Sequence, residues 1–144
     1  MDFMTAIDVG ASALNAERTH LNVISMNLAN AKTTRTVGGG AYRRKEVIFK
    51  ETDTTPFGKA MQAELGGEVK GVRVENIQSD SRPFRKVFEP NHPDADEEGY
   101  VNYPDINVVE EMTNMMSAMR SYEANVSTIT TAKSMYAKAL DIGR

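Results

Sequence analysis

The sequence predicts a mainly α fold with a small β region. N- and C-terminal helices pair as an antiparallel coiled coil, and a short irregular β-rich segment lies between them. Three observations carry this reading. An apolar seam of period near 3.5 runs through the C-terminal quarter, a second seam opens the chain, and clusters of Val, Ile and Phe between turn residues fill the middle. The organisation that follows is an inner coiled-coil part from residues 1–30 and 106–144. A connector and small β-rich middle region occupies 31–105.

The C-terminal seam is Val108, Met112, Met115, Met119, Tyr122, Val126, Ile129, Lys133, Tyr136 and Leu140, spaced alternately four and three residues apart. Lys133 alone is charged, and its aliphatic stem can pack while its amine reaches water. Residues between the seam positions are mostly polar. A narrow apolar stripe on a long helix needs a second helix to cover it. Asn107 is suited to cap the helix, with Glu110 at the position of a capping-box carboxylate, and Gly143 follows the last seam residue. Pro104 disfavours helix just upstream. The expected helix, 107–141, is roughly 50 Å long at about 1.5 Å per residue.

The N-terminal seam, within residues 3–30, repeats at sevens: Ile7, Leu14, Leu21 and Leu28, with Phe3, Ala11 and Ile24 between. Thr5 and Asp8 suggest a capping box there. Gly10, Asn15, Thr19, Asn22, Val23, Asn27 and Asn30 each favour helix less than Ala by roughly 0.5–1 kcal/mol. The segment is therefore expected to be helical only when packed.

The middle reads in shorter pieces. Residues 31–40, with Gly38-Gly39-Gly40, form a flexible connector. They lack the following Lys-Ser/Thr of a phosphate loop. Arg43-Arg44-Lys45 leads into a short strand at Val47-Ile48-Phe49, and the basic triplet reads as a solvated or subunit-facing patch. Residues 51–67 read as loop. Strand signals follow at Val69, Val72, Val74 and Ile77, then at Phe84, Val87 and Phe88, with a turn at Ser79–Pro83. Together they predict one small, irregular β unit. Residues 89–111 hold eight carboxylates and no Lys or Arg, whereas 32–50 hold six cations and one Glu. That asymmetry suits either registration between neighbouring copies or a solvated acidic loop.

Composition narrows the functional classes. The 144 residues carry a net charge of −3 and no cysteine, against nucleic-acid binding and against disulfide or thiolate chemistry. No apolar run is long enough to span a membrane, and Met1-Asp2-Phe3-Met4 is no cleavable secretory signal. Asp94-Ala95-Asp96-Glu97-Glu98-Gly99, with Asp105 at the twelfth position, resembles the opening of a calcium loop. It lacks the entering helix and the bidentate Glu. A divalent-cation-binding protein using loop 94–105 is the rival reading. His92 sits in a turn with nothing to complete a triad or a zinc site. No catalytic, cofactor or metal site is expected, and the chain is not expected to be an enzyme.

Leu21-Asn22-Val23-Ile24-Ser25-Met26-Asn27-Leu28-Ala29-Asn30-Ala31-Lys32-Thr33 resembles the N-terminal signature of the bacterial flagellar axial proteins, the rod and hook family, with its Ala29, Asn30 and Thr33 element. Glu110-Glu111, Met115-Met116 and the run Ala118 to Asn125, including Arg120, Tyr122, Ala124 and Asn125, resemble their C-terminal signature. The short middle, with His92 to Val101 and then Tyr103-Pro104-Asp105, is similar to the proximal rod members. The resemblance implies a structural subunit exported through the flagellar type III apparatus without a cleavable signal. It would assemble helically into the proximal part of the periplasm-crossing rod, transmit torque and surround the axial export channel. Its implied partners are copies of itself, the neighbouring rod proteins FlgB, FlgF, FlgG and FliE, and the export apparatus, with no nucleic acid. Another rod subunit of the same family is the nearer alternative.

Overall fold

The computed structural model describes residues 3–53 and 70–143. Helix α1 spans Phe3–Ala29, and strands β1 (Lys45–Asp53) and β2 (Lys70–Ser79) form an antiparallel pair. Strands β3 (Arg85–Phe88) and β4 (Tyr100–Tyr103) form a second antiparallel pair, and helix α2 runs over Val108–Ile142. The mainly helical fold class with a small β region holds.

The helices are antiparallel. Asn27, near the end of α1, bonds Glu111 in the first turn of α2, whereas Gly10 lies against Ile129. The chain thus climbs 17 residues on α1 while descending 18 on α2 between the two contacts (27 − 10 and 129 − 111). At that pairing the last six residues of α2, Ala137–Ile142, extend past the start of α1. Asn107 caps α2, its side-chain oxygen accepting from the amides of Val109 at 3.0 Å and Glu110 at 3.4 Å. Thr5 and Asp8 do not open α1. The helix already includes Phe3, so both lie inside it.

Helix α1 is wedged between α2 and the first sheet. Ser12 Oγ donates to Val9 O at 2.7 Å and accepts from the Val72 amide at 3.1 Å, so it covers an otherwise open position on the outer edge of β2. Gly71 allows this approach, since a Cβ there would stand 2.7 Å from Ser12 Oγ. At Gly10 a Cβ would stand 2.7 Å from Ile129 Cγ1. Gly10→Val is therefore expected to force the helices apart and to lower stability by about 1–3 kcal/mol, read as a lower urea midpoint.

The β region departs from the expected single unit. Val47–Phe49 is the centre of a nine-residue strand, and Glu51–Asp53 continue it instead of looping. The remainder of the expected 51–67 loop, and Val69, lie outside the described residues. Between the Ile48–Asn76 and Phe49–Val74 pairs the register shifts, leaving Glu75 without a partner position. Such a bulge exchanges the two faces of the strand. It accounts for the change of parity from Val72 and Val74 to Ile77. Beyond the Ser79–Pro83 turn the chain enters a separate sheet, where Val87 pairs with Val101. Tyr100–Tyr103, not expected as a strand, supplies the fully buried Val101. The Phe88 and Tyr100 rings meet edge to face at 5.3 Å. Gly99 closes this hairpin at φ +82°, a conformation that L side chains rarely adopt.

Candidate functional site

Where the two helices and the start of β1 converge, the fold buries polar groups. Asn27 and Glu111 are each only 1% exposed. Burial of this kind is tolerated only when every polar atom has a partner. The Asn27 amide donates to Lys45 O at 2.8 Å and to Glu111 Oε2 at 3.2 Å. Its oxygen accepts from the Lys45 amide at 2.9 Å and from the Tyr42 hydroxyl at 3.1 Å. One side chain thereby ties α1 to β1, to the segment before it and to α2.

Glu111 is paired on its other oxygen. Arg44 Nε donates to Oε1 at 2.8 Å, and Arg44 Nη2 stands 2.7 Å from the same oxygen. Arg44 Nη1 lies 3.7 Å from Asp80, whose carboxylate accepts from the Arg82 amide at 3.0 Å and from Arg82 Nε at 2.7 Å. Arg82 in turn reaches Asp105 at 3.5 Å. Charge alternates along Glu111, Arg44, Asp80, Arg82 and Asp105, joining the start of α2, the start of β1 and the turn after β2. The basic triplet is thus no uniform solvated patch. Arg44 is committed inside the chain, and Arg43 stacks over the Phe84 ring at 4.3 Å. The acidic segment is also partly used internally, since Asp94 accepts from Thr34 Oγ1 at 2.8 Å and faces Arg35 at 3.4 Å.

The Arg82 amide, then its guanidinium, holds the Asp80 carboxyl below its ordinary value. Burial, and secondly the Glu111 carboxylate, push the Tyr42 hydroxyl above its ordinary value of 10.0. A group whose pKa is raised by folding contributes fully below its unfolded value, and that contribution is lost as pH rises through the folded one. Stability is expected to fall from about pH 10 upward. The fall should be shallower in Tyr42→Phe, measured by urea unfolding across that range.

The arrangement holds elements together. His92 Nδ1 accepts from the Asp94 amide at 3.1 Å, a local turn contact. Among the described residues no group of three or more His, Cys, Asp or Glu is placed to hold a metal ion. The expected calcium-loop carboxylates have other roles. Asp94 binds Thr34, Asp96 accepts from the Glu98 and Tyr100 amides, and Asp105 faces Arg82.

The residues expected to form the helical seams are distributed unequally. On α1, Ile24 is buried, and Ile7, Leu14, Leu21 and Leu28 are half-buried. On α2, Met115, Tyr122 and Ile129 are half-buried, whereas Val108, Met112, Met119, Val126, Tyr136 and Leu140 are exposed. The stripe that α2 turns inward also contains Glu111, Ala118, Asn125 and Ala132, which are polar or small. Met112, Met119 and Val126 each stand one residue beyond Glu111, Ala118 and Asn125, turned about 100° away.

Comparison with known proteins assigns this architecture. Residues 7–35 match the family described as flagella basal body rod protein. Residues 97–142 match the C-terminal family of flagellar basal body rod FlgEFG proteins. The chain is 40% identical to the flagellar basal-body rod protein FlgC of Yersinia enterocolitica, with all of both chains aligned. It is also 40% identical to that of Borreliella burgdorferi, covering 99% of this chain and 98% of the relative. The FlgC of Bacillus subtilis is again 40% identical, over 96% of this chain and 97% of its own. The chain belongs to the FlgC family of flagellar basal-body rod proteins.

FlgC-family proteins are structural components of the rod, not enzymes. In this FlgC-family chain the signature residues do identifiable work. Asn30 Nδ2 bonds Met26 O at 2.9 Å, Thr33 Oγ1 bonds Asn30 Oδ1 at 3.2 Å, and the Thr33 carbonyl receives the Tyr42 amide at 3.0 Å. The element after exposed Ala29 therefore ends α1 and returns the chain toward Asn27. Of the C-terminal signature, Tyr122 and Asn125 face α1 half-buried, and Glu110, Arg120 and Ala124 are exposed. No helix among the described residues is long and apolar enough to cross a membrane. Sequence reasoning did not single out Asn27, Tyr42, Arg44 and Glu111 as a group. One usable signal was an Asn beside the apolar repeat of α1.

Proposed function

We infer that this chain builds the proximal part of the flagellar rod by helical assembly, and there transmits torque and contributes to the wall of the axial export channel. The observation that carries this reading is the open face of α2. Met112, at 55% exposed, and Met119, at 48%, sit in a repeat that matches another helix and are uncovered in the single chain. In this reading residues 1–30 and 106–144 form the inner coiled-coil part and 31–105 the outer middle region. The seam residues from Ile7 to Leu140 serve packing within and between subunits. The chain contacts copies of itself and the neighbouring rod proteins FlgB, FlgF, FlgG and FliE. It reaches the periplasm through the type III export apparatus.

Torque requires that a subunit pass load between its parts without shearing. The Asn27–Glu111–Arg44 cluster supports that role by fastening both helices to the first sheet. Deleting the gene should abolish swimming and leave basal bodies without a rod. A full-length copy should restore both, as seen by motility in soft agar and by electron microscopy of isolated basal bodies. Normal rods in the deletion strain would overturn the reading.

A further inference from the structure

Helix α1 also has an uncovered stripe. Ala11, Asn15, Arg18, Asn22, Ser25 and Ala29 are all exposed and are spaced four, three, four, three and four residues apart. They form one exposed line along the helix, whose Asn15 also borders the groove between α1 and the first sheet. Five of the six are small or short, so this face is a row of shallow holes. The uncovered line of α2, Val108, Met112, Met119 and Val126 with Met116 beside it, is a row of flexible knobs. The two rows share one period, and within a single chain neither can reach the other.

We propose that the α2 stripe is covered by the α1 stripe of a second copy of this chain, with the neighbouring copy's Arg18 meeting Glu123. Charge supports the choice of occupant. Arg18 is the only charged residue in the α1 row. Glu123 lies one turn from both Met119 and Val126 on the exposed side of α2. Neither enters an ion pair among the described residues. The two faces differ, so the contact is heterologous and each copy keeps one free α1 face and one free α2 face. That arrangement propagates and does not close as a dimer. The Arg18–Glu123 pair fixes register, and the methionine knobs supply the burial.

This inference rests on the rod-subunit reading, and its test separates the two. A photoreactive amino acid replaces Met119 in motile cells, and basal bodies are isolated after illumination. The expected product has twice the 15.9 kDa chain mass, joined to a peptide from residues 11–29. An adduct to a different protein, an adduct to another segment of the copy, or no adduct overturns the proposal and leaves the rod reading standing. Absence of the unsubstituted chain from wild-type basal bodies would instead sink the rod reading. Charge reversal gives a second readout. Arg18→Glu and Glu123→Arg should each lose motility, and the double variant should recover it. If the double variant stays as impaired as the singles, the pair does not meet.

Discussion

Arg44→Met is expected to destabilise the folded chain by about 3–5 kcal/mol, the range seen when one partner of a buried ion pair is removed. Glu111 is 1% exposed and takes two contacts from this guanidinium on a single oxygen. Without Arg44 only the Asn27 amide remains to it among the described residues, and that neutral donor cannot balance a buried charge. A domain is stable by about 5–15 kcal/mol in total, so the loss leaves little reserve. Urea unfolding followed by circular dichroism measures it. Adding Glu111→Leu should return most of the loss, because an apolar pair of similar volume costs little where an orphaned charge costs much. If the single variant unfolds at the wild-type midpoint, Arg44 does not hold this junction.

Met119→Asp should abolish motility while leaving the unfolding midpoint of the isolated chain nearly unchanged. Its side chain is 48% exposed, and surface replacements usually shift stability by no more than about 0.5 kcal/mol. In the assembled rod the same carboxylate would enter an apolar contact without a partner, which is strongly unfavourable. Leu21→Asp separates folding from assembly by failing differently. Leu21 is half-buried on the helix that carries both α2 and the sheet, so this variant should lose stability and motility together. Swarming in soft agar, combined with urea unfolding of each purified chain, distinguishes the two. A motile Met119→Asp strain would remove the exposed stripe from the assembly.

Local signals made much of the fold legible. The 3.5-residue repeat located both helices, and Asn107 marked the start of α2 through a capping bond that needs no tertiary context. The β region was harder because its pattern is broken where Glu75 interrupts the pairing. The parity change from Val72 and Val74 to Ile77 carried that information without saying which strands pair. The inward face of α2 was the least legible part. Met112 and Met119 suit a core by hydropathy, yet Glu111 and Ala118 occupy the inner line. Glu111 can do so only because Arg44 and Asn27, 67 and 84 residues away in sequence, arrive beside it. A repeat read along one helix also cannot tell a partner in the same molecule from one in the next. In α2 the two demands are laid side by side.

The hydroxyl that Ser12 places against the Val72 amide also bears on misassembly. An open strand margin is a template onto which any extended polypeptide can add, and during construction of a large organelle many such chains are present at high local concentration. With that position already answered from within the molecule, accretion of stray strands is discouraged there, and polymer growth is left to the helices.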